Sequence, residues 1–194
     1  MRRILSIVAV LAIAAVLSCG GKKPAPKAAA SKTATPAASA SNVPAGWPAE
    51  TFAELTKAEM DAYVKVLPNV MAALKKASFK ATLSNPPDMV KDMGTTIEAM
   101  KSAAGVDDAL KAGGSTWPAY RVTTYKVMAA TNAMVMGMAD AMIGDSTSKE
   151  AQQAKAMLKA AKPVFDQVPK KNGEMLFTYM DQLKALDDLD SPSK

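Results

Sequence analysis

The chain has no histidine, a single cysteine and aromatic side chains at only 5% of its 194 positions. Without imidazole, Ser-His-Asp hydrolysis, Cys-His chemistry, histidine-held haem and histidine-ligated zinc are all excluded. One cysteine cannot form an internal disulfide or a Cys-x-x-Cys pair. Glycine-rich phosphate loops and dinucleotide fingerprints are missing too, as is the sustained apolar-polar alternation that marks strands. What is present is an alphabet suited to helices: 49% hydrophobic residues, 22% charged, and 14 methionines. The length is that of one domain.

Acidic side chains are absent before Glu50. Of the 24 basic residues, Arg2 and Arg3 lie in the N-terminal segment and Lys22, Lys23, Lys27 and Lys32 in the stretch after it, leaving 18 against all 18 acids. The net charge of +6 therefore belongs to the first 47 residues, and the rest is formally neutral. No nucleic-acid partner is predicted from it.

The chain begins MRRILSIVAVLAIAAVLSCGG, a positive pair followed by a 14-residue stretch, Ile4 to Leu17, that is apolar except for Ser6. This is the layout of an export signal. It falls well short of the roughly 20 apolar residues that a membrane span requires. Where the run ends, Val16-Leu17-Ser18-Cys19-Gly20-Gly21 resembles the lipobox of bacterial lipoproteins, over residues 1–21 alone. The resemblance implies removal of residues 1–18, a diacylglycerol thioether on Cys19 and an acylated amino terminus. Two or three acyl chains, at about 0.8 kcal/mol per buried methylene, make a nearly permanent anchor. Gly20 stands where many inner-membrane lipoproteins carry Asp, so the resemblance points to the outer membrane.

Residues 19–47 continue as an Ala-, Pro-, Ser- and Lys-rich stretch with little apolar surface beyond alanine. Such a composition predicts a disordered tether, about 25 to 30 Å in root-mean-square span. Its four lysines serve either to solubilise it or to hold anionic lipid heads.

Residues 48–194 read as an all-α, up-and-down bundle of four to five helices. Thr56-Lys57-Ala58-Glu59 is a capping box, and Met60, Tyr63, Val64, Leu67, Met71 and Leu74 form a stripe that continues past Pro68 to about Phe79. A second helix opens at Asn85-Pro86-Pro87-Asp88, carries Met89, Met93, Ile97 and Met100 inward and stops by Gly105. A short turn covers Val106 to Leu110. The longest helix runs from a cap at Ser115 or Thr116 to Gly144; its interior is apolar nearly all round, which predicts a central helix enclosed by others. Ala129, Ala133, Gly137 and Ala141 form a ridge of small residues along it. A fourth helix starts near Ser148 and passes Pro163, with Ala151, Ala154, Leu158, Ala161 and Phe165 inward. A last one starts at Asn172, uses Met175, Leu176, Tyr179, Met180, Leu183 and Leu186, and runs into an acidic tail.

Three groups are candidates for function. Met134, Met138 and Met142 share one side of the long helix, with Met136 opposite, and thioethers are soft ligands for Cu(I) or Ag(I); methionine filling a core is the competing explanation. Asp140, near the negative end of that helix dipole, is either a solvated residue on the side shared with Lys126 or a carboxylate in a pocket. Trp117, Tyr120, Arg121 and Tyr125, with Thr124, are either a ligand or partner surface or the plug of the bundle's end. Asp107-Asp108 and Asp187-Asp188-x-Asp190 lack the spacing of a calcium loop. The expected protein is thus non-enzymatic and without a cofactor, moored to the envelope through the lipid on Cys19, its bundle binding or scaffolding an envelope protein. The alternative is a soft-metal or small-ligand carrier.

Overall fold

The structure is a computed structural model that describes residues 43–81, 89–144 and 148–183. These residues form an all-α bundle with no strand among them. A 3-10 turn, Ala49–Phe52, is followed by α1 (Lys57–Lys76), α2 (Met89–Met100), α3 (Val106–Ala112), α4 (Trp117–Ile143), α5 (Lys149–Phe165) and α6 (Lys170–Thr178). At about 40 Å, α4 is the hub: the 3-10 turn and all five other helices pack against it. No helix among the described residues is long and apolar enough to cross a membrane.

The capping box forms. Thr56 Oγ1 accepts from the Glu59 amide at 3.2 Å, and Glu59 Oε2 accepts from the Thr56 amide at 2.8 Å. From there α1 runs through Pro68 without a break. It closes at Lys76 with paired bonds, Ser78 N–H to Lys75 O and Phe79 N–H to Leu74 O, which satisfy terminal carbonyls only because Ser78 adopts φ +52°. Its buried face is rotated from the predicted stripe: Val66 and Val70 are core, while Val64 and Met71 are only partly buried. The partner explains the rotation. Gly113, just past α3, lies so close to the Val66 side chain that a Cβ there would collide with it.

In α2, Met93, Ile97 and Met100 are buried as the pattern requires. The Asn85-Pro86-Pro87-Asp88 start and the side chain of Met89 lie outside the described residues. The chain leaves α2 at Met100, earlier than the predicted stop, and reaches α3 through Gly105 at φ +86°. Asp107 and Asp108 fill the first turn of α3, where the helix dipole favours acids.

Two boundaries differ from the sequence reading. Trp47, assigned to the tether, is 6% exposed and sits in the main core, with Val43 packed against it, so the folded unit includes residues 43–47. An indole in a polar stretch recovers enough apolar burial to dock its neighbours. The last helix starts at Lys170, two residues before the one expected to open it; it breaks at Tyr179 and is helical again over residues 180–183. Leu186 and the acidic tail fall outside the described residues.

Candidate functional site

The first half of α4 is given over to packing. Pro118 stands in its first turn, and Thr116 is its N-cap without a side-chain bond. Trp117, Tyr120 and Tyr125 are buried, Tyr120 stacking on Tyr63 at 5.2 Å between centroids and meeting Trp117 at 6.1 Å. Burial pushes the Tyr63 and Tyr120 hydroxyls above their ordinary pKa. Tyr125 meets Trp47 at 5.3 Å, and its hydroxyl faces Gly94 O and Glu98 Oε1. Burial, reinforced by the Glu98 carboxylate, pushes this hydroxyl up to about 12. Arg121 lies over the Tyr125 ring, pairs with Glu98 and donates to Gly46 O at 3.2 Å. Tyr125 and Arg121 form a socket for Gly46 and Trp47, completed by the Trp47 Nε1 bond to Val90 O and by Gly94, whose missing side chain leaves room for the indole, while Trp117 and Tyr120 pack toward Tyr63 of α1.

A second polar cluster, unforeseen in its roles, fixes the loop that precedes α1. Lys126 was placed on a solvated side with Asp140, yet its side chain is 5% exposed and its ammonium donates to Glu59 Oε1 at 2.6 Å and Glu54 O at 3.1 Å. Burial opposes ionisation of Glu59, and the bonds from Lys126 and Thr56 outweigh it, holding the carboxyl below its usual value. Asn172, expected as a helix start, is fully buried inside α6; its Oδ1 accepts from Leu55 N–H at 2.7 Å and its Nδ2 donates to Ala53 O at 3.0 Å. Both groups serve the fold. The signal that would have found Lys126 is the capping acid Glu59 carrying an oxygen to spare.

The second half of α4 departs from the enclosed helix predicted for it. Gly137, Asp140 and Ala141 are exposed, and a Cβ on Gly137 would meet nothing within 4 Å. The ridge of small residues is thus in contact over its first half, where Ala129 is fully buried and Ala133 packs against the core. The reason lies in α5, whose inward positions Ala151, Ala154, Leu158 and Ala161 are only half-buried, with Phe165 alone in the core. A groove of about 480 Å³ lies between α4, α5 and α6, walled on the α5 side by Lys155, Leu158, Lys159, Lys162 and Phe165. Its floor includes Met134, Met136, Gly137, Leu158 and Phe165; Phe177, 60% exposed and the largest apolar side chain left in solvent among the described residues, stands at its edge. Around the rim are Lys155, Lys159, Lys162 and Lys170 with Asp140, Asp166 and Glu174. Lys162 is engaged with Asp166 at 3.0 Å. Asp140 is therefore both solvent-exposed and part of a pocket wall, about 22 Å along α4 from Tyr125.

The methionine set separates. Met134 reaches the groove, but its Cγ and Sδ lie where a Gly173 side chain would be, 3.2 and 3.3 Å from that Cβ position, so it fills the α4–α6 contact. Met136, expected on the opposite side, also lines the groove, and Met138 does not. The side chain of Met142 lies outside the described residues. Among those residues no group of three acidic or cysteine side chains is placed to hold a metal ion.

Compared with protein-family models, curated proteins and solved structures, the chain matches none.

Proposed function

We propose that this chain is a lipid-anchored protein of the bacterial cell envelope, more specifically of the outer membrane, whose bundle is a non-enzymatic binding module working through the α4–α5–α6 groove. The observation that carries the binding role is the groove itself: about 480 Å³, within the range of ligand sites, with an apolar floor and a charged rim. The anchor rests on the lipobox-like Val16-Leu17-Ser18-Cys19 run behind a 14-residue apolar stretch. Twenty-four positions separate Cys19 from Val43, where the chain docks on the bundle. As a tether they place the module about 25 to 30 Å from the bilayer surface.

Two measurements test the two halves of this reading. Radiolabelled palmitate is incorporated into the full chain and is lost in Cys19→Ala; label that persists removes the anchor. A photoreactive amino acid in place of Phe177, activated in intact cells, crosslinks an envelope component, whereas the same probe at exposed Lys76 on α1 does not. Equal yields from both positions remove the groove as the binding surface.

A further inference from the structure

The charges on the groove are sorted. Toward the α5–α6 turn the rim carries Lys159, Lys162 and Lys170 against Asp166, which is already bonded to Lys162. Neither Lys159 nor Lys170 makes an ion pair among the described residues, and both are exposed. Asp140, near the close of α4, and Lys155, in the first half of α5, lie toward the other end, with Glu174 between. The apolar floor runs along α4 from Ala130 to Gly137, seven residues or about 10 Å, and Phe177 extends it outward. A net cationic end joined to an apolar floor complements a molecule with one negative head and one extended alkyl chain.

We propose that the groove binds a single-chain amphiphile with an anionic head, a carboxylate or a phosphate, seated against Lys159 and Lys170 with its alkyl chain on Met134, Gly137, Leu158 and Phe177. This rests on the reading of the groove as a binding surface and names its ligand class. Long alkyl chains with acidic heads arise at a membrane as free fatty acids and as lysophospholipids, and both present the same chemistry to the groove.

The test is calorimetric titration of the full chain carrying Cys19→Ala, which takes no lipid and is purified without detergent, with octanoate, decanoate and dodecanoate below their micellar concentrations. Binding is one to one and tightens two- to fourfold per added methylene, the upper value corresponding to about 0.8 kcal/mol for full burial. Dodecyltrimethylammonium binds at least tenfold more weakly than dodecanoate. Lys159→Glu with Lys170→Glu abolishes that preference while leaving the melting temperature within a few degrees. Gly137→Leu, on an exposed helical position with open space before it, folds normally and lowers dodecanoate affinity at least tenfold by filling the trough. A tighter response to lauroyl-lysophosphatidylglycerol than to dodecanoate assigns a lysolipid source, and the reverse a free acid; either supports the site. No binding, equal binding of cation and anion, or an unchanged Gly137→Leu overturns it. So does a dimer in light scattering that Gly137→Leu dissociates, which would make a second copy the occupant. If the Phe177 probe still crosslinks a protein when dodecanoate fails to bind, the amphiphile falls and the binding reading stands.

Discussion

Lys126 of α4 and Glu59 of α1 meet at 2.6 Å in a site where the ammonium is nearly sealed from water and the carboxylate is about one-third exposed. One acid therefore does two jobs. Its Oε2 caps α1 through Thr56, and its Oε1 ties that capped end to the hub. Helix start and tertiary contact are coupled through a single side chain.

Lys126→Met keeps the aliphatic stem and removes the charge, leaving Glu59 and the Glu54 carbonyl without their donor. Breaking a fully buried pair costs about 3–5 kcal/mol, and the solvent access of Glu59 reduces this to about 2 kcal/mol. Urea unfolding should show a lower midpoint at unchanged slope. Because Glu59 is held below its usual pKa, the pair stabilises above the unfolded carboxylate value near 4.3 and is lost as pH falls through the lower folded value. The gap between wild type and variant should accordingly shrink toward acid pH; a gap that is constant down to pH 2 contradicts the assignment.

Beside Tyr63 and Tyr120, whose hydroxyls burial also raises, Tyr125 contributes to the pH dependence on the alkaline side. Its hydroxyl titrates near 12 in the folded chain against about 10 when unfolded, so its contribution is complete below pH 10 and disappears as pH rises from 10 to 12. Tyr125→Phe should cost about 1 kcal/mol at neutral pH, through loss of the bonds to Gly94 O and Glu98, and should flatten the fall in melting temperature over that interval. Tyrosinate absorbance followed against circular dichroism checks whether ionisation and unfolding coincide.

Asn172→Ala strands two buried backbone groups, the Leu55 N–H and the Ala53 carbonyl, and should destabilise by about 2–4 kcal/mol. Asn172→Asp preserves the acceptor for Leu55 but turns a second oxygen toward the Ala53 carbonyl. Its deficit should be largest at neutral pH and diminish when the carboxyl is protonated. Chemical denaturation of both variants at pH 4 and pH 7 separates these outcomes.

Ser78 and Gly137 each run against local preference. Ser78 holds φ +52°, a region where a side chain costs about 1 kcal/mol or more, so Ser78→Gly should raise stability by roughly 1 kcal/mol. Gly137 occupies an exposed helix interior with room for a Cβ, and Gly137→Ala should stabilise by about 1 kcal/mol. Calorimetric melting of the two single variants and the double variant should show additive gains, since the sites share no partner.

Much of the fold is legible in the residues. The Thr56 box, the Ser148 cap, the inward methionines of α2 and the 27-residue reach of α4 follow from local spacing and cap chemistry. The candidate site is less so. Asp140 stands out in the sequence by its position on the dipole, and it lines the groove; Trp117, Tyr120 and Tyr125 stand out by residue type, and they are buried in the core. Lys159, Lys170 and Phe177 had no distinguishing neighbours in sequence, because a groove is made by what three helices leave empty.

The sequence by itself determined the helical alphabet, the helix starts and the partition of charge, all of which depend on neighbours within a few positions along the chain. Only the tertiary structure decided which side of α1 faces inward, that Trp47 belongs to the bundle, that Lys126 is sealed against Glu59, and that the far half of α4 is left open. Two of those outcomes depend on a side chain missing elsewhere in the chain, Gly113 allowing close approach to Val66 and Gly94 making room for Trp47. Packing joins residues remote in sequence, and no local pattern carries that information.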